Sequence, residues 1–206
     1  LLSECIDLLG KATNSSERAD SLNQFIDGQL SQLKEAVKNT EKPSAYLSGN
    51  SSFLKTAGPA MYQNNLLVNG GAENVAAELS DSYWAEISYE QLLAWDPEYI
   101  FLNSFSAFTA EDLMTNNAIA GHDWSGLTAV QNGHVYKMPL GMYYWFAPCS
   151  DSPLALQWLA KHLYPEQFTD IDMDAEIKDY FKEFYGVTLS DEDLHTLYNP
   201  PAESAM

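Results

Sequence analysis

Few residues in this sequence have the type and spacing that reaction chemistry needs. The four histidines (His122, His134, His162 and His195) are scattered, and none stands four positions from another histidine or cysteine, so no helical metal-ligand pair exists. Each reads as a surface or packing histidine. Cys5 and Cys149 form no C-x-x-C, which excludes zinc ribbons and thioredoxin-like chemistry. The simplest reading is two separate thiols. There is no G-x-S-x-G, no H-E-x-x-H, no Walker loop and no G-x-G-x-x-G. Gly70 and Gly71 follow a helical stretch and read as its cap rather than as a phosphate cradle. The acids Glu111, Asp112 and Asp191 to Asp193 fall where helices should begin, and dipole compensation accounts for them without catalysis. What does stand out is a set of rings. The run MYYWFAP at 142–148 is too aromatic for an ordinary solvent loop, and Phe53, Phe105, Phe108 and Trp84 add to it. It reads equally well as a loop tucked onto the core and as a wall for a large, flat or partly apolar ligand.

The elements that must hold these rings can be read from periodicity. Apolar residues at helical spacing run over 1–9 and stop at Gly10. A longer stretch, 15–39, keeps a period near 3.6 until Pro43 forbids continuation, and would form a spine about 37 Å long. Short buried strands are predicted at 44–48, 98–102 and 134–138, with a brief one at 74–76. Helices are predicted at 60–68, 88–95, 109–116, 152–163, 174–185 and 190–198. Residues 199–206 carry two prolines and no core pattern. Strands alternating with helices imply an α/β fold with an open, mostly parallel sheet sandwiched by helices and preceded by the spine. In such sheets ligands bind beyond the carboxyl ends of the strands. Here those ends carry 49–58, 103–108 and 140–152, which hold most of the rings together with Lys55.

Composition narrows the ligand. The 206 residues carry 10 Lys and Arg against 29 Asp and Glu, a net charge of −19. Such a surface repels phosphate backbones and anionic headgroups, which excludes nucleic acid and basic-patch membrane binding. Arg18 is the only arginine, so a bidentate guanidinium clamp on a ligand is scarcely available. No apolar run approaches the roughly 20 residues of a membrane span. The chain opens on Leu1 with no charged region leading into an apolar one, as a processed form or a fragment would.

Several spaced motifs together resemble a known family: GGAENV at 70–75, EISYEQLLAWDPEYI at 86–100, WSGLTAVQNGHVY at 124–136, SPLALQWLA at 152–160 and YPE at 164–166. In that order they are similar to the C-terminal lobe of the substrate-binding proteins of iron-siderophore, haem and cobalamin ABC importers. The resemblance covers roughly 14–194. It implies that residues 1–42 are a remnant helix and the inter-lobe helix, that 43–198 form the C-terminal ligand-binding lobe, and that 199–206 form a tail. It implies a non-enzymatic protein without a cofactor, placed outside the cytoplasm with a lipid anchor on the full-length form. Its partners would be a metal chelate and a membrane permease. A face left wet by an absent N-terminal lobe would favour a homodimer. Tyr144, Trp145 and Phe146 match in type the aromatic contact after the last strand, with Tyr143 beside them, and Trp84 matches a second cleft aromatic. Asp151 is the acid nearest the permease-docking position, and it equally suits a helix N-terminus.

Two other readings stay open. FLKTAG at 53–58 resembles members that take oxyanions or iron complexes, with Lys55 as its cation, and a molybdate- or tungstate-type oxyanion receptor predicts Ser51, Ser52 and Thr56 converging on a void. An α/β enzyme would need a carboxylate pair such as Asp81 with Glu86 sharing one pocket.

Overall fold

The computed structural model describes residues 2–49, 52–80 and 83–201. Two helices come first, α1 (Leu2–Ala12) and α2 (Ser16–Ala36). They lead into β1 (Ser44–Leu47), β2 (Lys55–Ala57), α3 (Tyr62–Asn69), β3 (Glu73–Asn74) and β4 (Trp84–Glu86). Next are α4 (Tyr89–Trp95), β5 (Tyr99–Leu102), α5 (Ala110–Met114), α6 (Thr128–Gln131) and β6 (Val135–Lys137). The chain continues through α7 (Ser152–Leu163) and α8 (Met173–Tyr180), a π-helical turn at Phe181–Tyr185, and α9 (Asp191–Tyr198).

The main sheet is wholly parallel, in the order β3-β1-β5-β6. Its central strands are apolar at consecutive positions because both faces are covered. Ala45, Leu47, Tyr99 and Phe101 point into one core with α7, while Tyr46, Ile100 and Leu102 point into the other with Trp124 and Leu92. Helix α7 is the most enclosed helix, with ten of its twelve residues buried. The spine α2 buries Ala19, Ile26 and Leu33, one residue every seven, and packs Leu22, Phe25, Leu30 and Leu33 against the core that holds α7. This is the α/β sandwich expected from the alternation of strands and helices.

Several boundaries differ from expectation for local reasons. Gly10 does not stop α1. It lies where α1 crosses α2, and a Cβ there would stand 2.5 Å from the Cβ of Ala19. Leu8 and Leu9 on the same helix are exposed. The spine ends at Ala36, about 31 Å after it begins at 1.5 Å per residue, because Thr40 folds back on the carbonyl of Val37 through its hydroxyl at 2.8 Å. The brief strand expected at 74–76 lies at 73–74, since the Asn74 side chain accepts from the Ala76 amide at 3.0 Å and turns the chain. The antiparallel pair of β2 with β4 and the short α6 were absent from the reading, because segments of three or four residues carry no readable period.

The acids at helix starts act as caps. Thr109 with Asp112 and Ser190 with Asp193 form capping boxes at α5 and α9. Backbone N–H groups of Thr109 and Ser190 hold the two carboxyls below their usual range. Cys5 and Cys149 are both free, one exposed and one half-buried. Burial, with the Asp151 charge adding to it, pushes the Cys149 thiol up to about 11. At pH 8 about one Cys149 in a thousand is therefore a thiolate. A disulfide reagent at that pH should titrate one thiol in seconds and the second only on denaturation, and two equally fast phases would contradict this placement.

Candidate functional site

The carboxyl ends of β1, β5 and β6 are fastened to one another by side chains. The Ser48 hydroxyl accepts from the Asn103 backbone N–H at 3.0 Å and from its side-chain amide at 3.2 Å. That amide also donates to the Gly49 carbonyl. Asn103 then uses its own oxygen to accept from Phe105 N–H at 2.7 Å, which turns the chain out of β5. Ser104 donates to the carbonyls of Met138 and Pro139 at 3.0 and 2.9 Å and so ties β5 to the end of β6. Ser48, Asn103 and Ser104 are all buried, and their pairing fixes the rim. In the sequence these three carry no signal, because small polar residues after a strand look like those of any loop.

Between the ends of β1 and β5 lies a crevice of about 320 Å³. The chain leaves β1 toward β3 on one side and later fills β5 and β6 on the other, so the crevice sits at the topological switch point. Ser52, Phe53, Phe105, Ser106 and Phe108 line it, and among the described residues no charged side chain does. Beside it the rings form a ledge. Phe105 packs on Tyr144 with centroids 4.0 Å apart, and Tyr144 meets Tyr143 edge-on at 4.8 Å. Tyr143 is 52% exposed.

The other expected wall residues divide. Trp145 and Phe146 turn inward and are buried in the core, so they support the ledge rather than face a ligand. Phe53 borders the crevice with one edge while its ring packs on Tyr46, Phe108 and Trp124. Trp84 is half-buried on β4. Lys55 does not line the crevice and stands opposite Glu86 in the β2–β4 pair. Of the three hydroxyls named for an oxyanion, Ser51 lies outside the described residues. Thr56 is buried and donates to the Leu47 carbonyl at 2.9 Å, which leaves Ser52 at the lip. Of the carboxylate pair, Asp81 lies outside the described residues and Glu86 is exposed at the end of β4. Among the described residues, no group of three or more His, Cys, Asp or Glu side chains is placed to hold a metal.

Asp151 is corrected by its burial. It is fully enclosed, so it cannot present a docking charge, and it organises the ledge instead. One carboxylate oxygen accepts from Met142 N–H at 2.8 Å and from the Trp145 indole at 3.3 Å. The other accepts from the Tyr185 hydroxyl, while Tyr185 also meets the Ser150 hydroxyl at 2.5 Å. Burial, together with the hydrogen bond to Asp151, pushes the Tyr185 phenol well above its usual range, so it remains a donor. Tyr185 is carried by the π-helical turn, whose carbonyls at Glu183 and Phe184 accept from Arg18 on the spine at 3.0 and 2.8 Å. The chain's sole arginine thus serves structure rather than ligand. Gly141 is required here because a Cβ would collide with the Asp151 carboxylate and stand 2.7 Å from the Trp145 indole nitrogen.

Comparison with known proteins agrees with this architecture. A family model described as periplasmic binding protein matches residues 1–140. The molybdate-binding protein MolA of Haemophilus influenzae is 25% identical over 188 residues, 89% of this chain and 51% of MolA. A periplasmic solute binding protein from Veillonella parvula superposes with a TM-score of 0.85 at 28% identity, over 96% of this chain and 60% of that one. Helicobacter pylori CeuE with Ni(II) bound superposes with a TM-score of 0.73 at 25% identity, over 96% and 61% of the two chains. The chain therefore spans half to three-fifths of the length of these relatives.

Loss of the buried carboxylate should loosen the ledge before the whole fold. Asp151→Ala removes the acceptor of three donors and should cost about 3 kcal/mol of stability, read as a lower midpoint in urea. Gly141→Ala should cost about 1–3 kcal/mol by overpacking. Wild-type midpoints for both variants would show that Asp151 does not hold this loop.

Proposed function

The chain belongs to the periplasmic binding protein family, and on that premise we propose that it forms one ligand-gripping lobe of an extracytoplasmic substrate-binding protein serving an ABC importer. Residues 43–198 are the lobe in this reading, and residues 1–42 are the helices that join it to a second lobe. The ligand is a metal chelate, any metal arriving with it, and the protein alters nothing in its cargo. Closure of the two lobes would present the loaded protein to a membrane permease.

The observation that carries the reading is the Phe105–Tyr144–Tyr143 ledge beside an uncharged crevice at the switch point. Rings stack on the ligand planes of a chelate, and a neutral crevice imposes no desolvation of an ion. Preorganised aromatic surface also loses little conformational entropy on binding. An oxyanion remains the second reading, favoured by the likeness to a protein named as molybdate-binding and by the Ser52 and Ser106 hydroxyls in the crevice. Against it stand the absence of a cation from the lining and the commitment of Thr56 to Leu47.

Titration of the full-length protein with a ferric tris-catecholate, a ferric hydroxamate, haemin, cobalamin and sodium molybdate, followed by tryptophan fluorescence, separates the two. One chelate should bind with Kd near or below about 1 μM. Tyr144→Ala should weaken that binding about tenfold or more through the lost stacking. Tight molybdate binding that is indifferent to Tyr144→Ala would instead establish the oxyanion reading.

A further inference from the structure

A second cavity lies far from the rim. It measures about 450 Å³ and opens beside the free edge strand β6, between the amino ends of β5 and β6 on one side and α7 and α8 on the other. Its walls are rings. Tyr99 stacks on His134 at 4.3 Å and 9°, and His162 packs against Tyr136 and Trp158, each at 4.2 Å. Trp158 and His162 lie four residues apart on α7, so they share one face of the helix.

The polar tips in this cavity are unevenly spent. The Nδ1 of His162 is 2.7 Å from the Trp158 carbonyl, and that of His134 is 3.2 Å from the Glu98 carbonyl. A carbonyl only accepts, so each Nδ1 carries a proton, and an imidazole held this way has its Nε2 free to accept whenever the ring is neutral. Burial pushes the His162 pKa down and favours that neutral form. Lys161 donates one proton to the Ile171 carbonyl and retains two. Among the described residues, the hydroxyls of Tyr99 and Tyr136 and the indole N–H of Trp158 have no protein hydrogen-bond partner, and none of these atoms is sealed from solvent. Among the described residues no carboxylate lines the cavity, but Glu98 bears electrostatically on the lining Tyr99, and Asp172 and Asp174 on the lining Tyr198, whose hydroxyl donates to Asp174 at 2.9 Å. Lys161 is the cation that must offset these charges for an anion to bind.

Spare donors thus outnumber spare acceptors, one donor is an ammonium, and the walls are flat and aromatic. We propose that this cavity is a second binding site, for a small aromatic carboxylate. The ring lies against Trp158 and Tyr136, the carboxylate takes protons from Lys161 and the tyrosine hydroxyls, and a ring hydroxyl meets an imidazole Nε2. The cavity volume falls within the range of about 300–1,000 Å³ typical of small-molecule sites. The proposal does not depend on the identity of the cargo at the rim.

The test uses 4-hydroxybenzoate as probe, with 4-hydroxybenzamide and glucose as comparators, in calorimetry and saturation-transfer NMR on the full-length protein. The acid should bind with Kd below about 1 mM. The amide and glucose should bind at least about fivefold more weakly, because they lack the charge that Lys161 meets. Lys161→Gln should lose at least about fivefold in affinity, and Tyr136→Phe, which removes a single oxygen, should weaken binding with an unchanged melting temperature. Tyr144→Ala at the rim should leave it intact. No binding of the acid at 5-fold above about 1 mM, equal binding of acid and amide, or binding insensitive to Lys161→Gln and Tyr136→Phe would each overturn the proposal.

Discussion

A parallel sheet covered on both faces leaves a ligand only the strand ends and the open edges. That constraint arranges this molecule. Tyr46, Ile100 and Leu102 on one face and Leu47 and Phe101 on the other are enclosed, so no binding surface can form there. The carboxyl ends of β1, β5 and β6 are where the sheet meets solvent as polar backbone, and buried Ser48, Asn103 and Ser104 satisfy that backbone among themselves. The three strand ends are thereby fastened by uncharged side chains. Rings set beside those fastened strand ends form a flat, polarisable surface.

The carboxylate of Asp151 shows how tightly that surface is held. It is enclosed without a cation, and its charge is spread over one backbone N–H, one indole and one phenol. Those donors belong to the aromatic loop and to the π-helical turn, so one side chain at the start of α7 fixes two neighbouring segments. The turn is in turn gripped by Arg18 of the spine. Helix α2 and the aromatic ledge are therefore joined through a short series of hydrogen bonds.

Most of the fold was legible in the sequence because its signals are collective. The expected strands at 44–48, 98–102 and 134–138, the spine and α7 each carry several apolar residues, and Gly, Pro and capping residues mark their ends. The β2–β4 pair and α6 were not legible, since their pairing is set by tertiary position. The site was read at the level of segments: the three loops at the strand ends were identified, and they do build the rim. Which rings face outward was not legible. Tyr143, Tyr144, Trp145 and Phe146 are consecutive and similar, and their division into two outside and two inside follows from Asp151 drawing in the Trp145 indole and from Gly141 letting the chain pass. An acid before a helix likewise looks the same in sequence whether it caps, docks or is buried. Asn103 was invisible because its role depends on Ser48, 55 residues away.

The central claim is that the rim of β1, β5 and β6 is the cargo-facing half of a clamp. Hydrogen exchange on the full-length protein, with and without the chelate that binds it in titration, tests this most directly. The account predicts slowed exchange in 103–108 and 140–146 on binding, with α4 and α9 unchanged. Protection confined to other segments, with these two loops exchanging as in the unloaded protein, would contradict it.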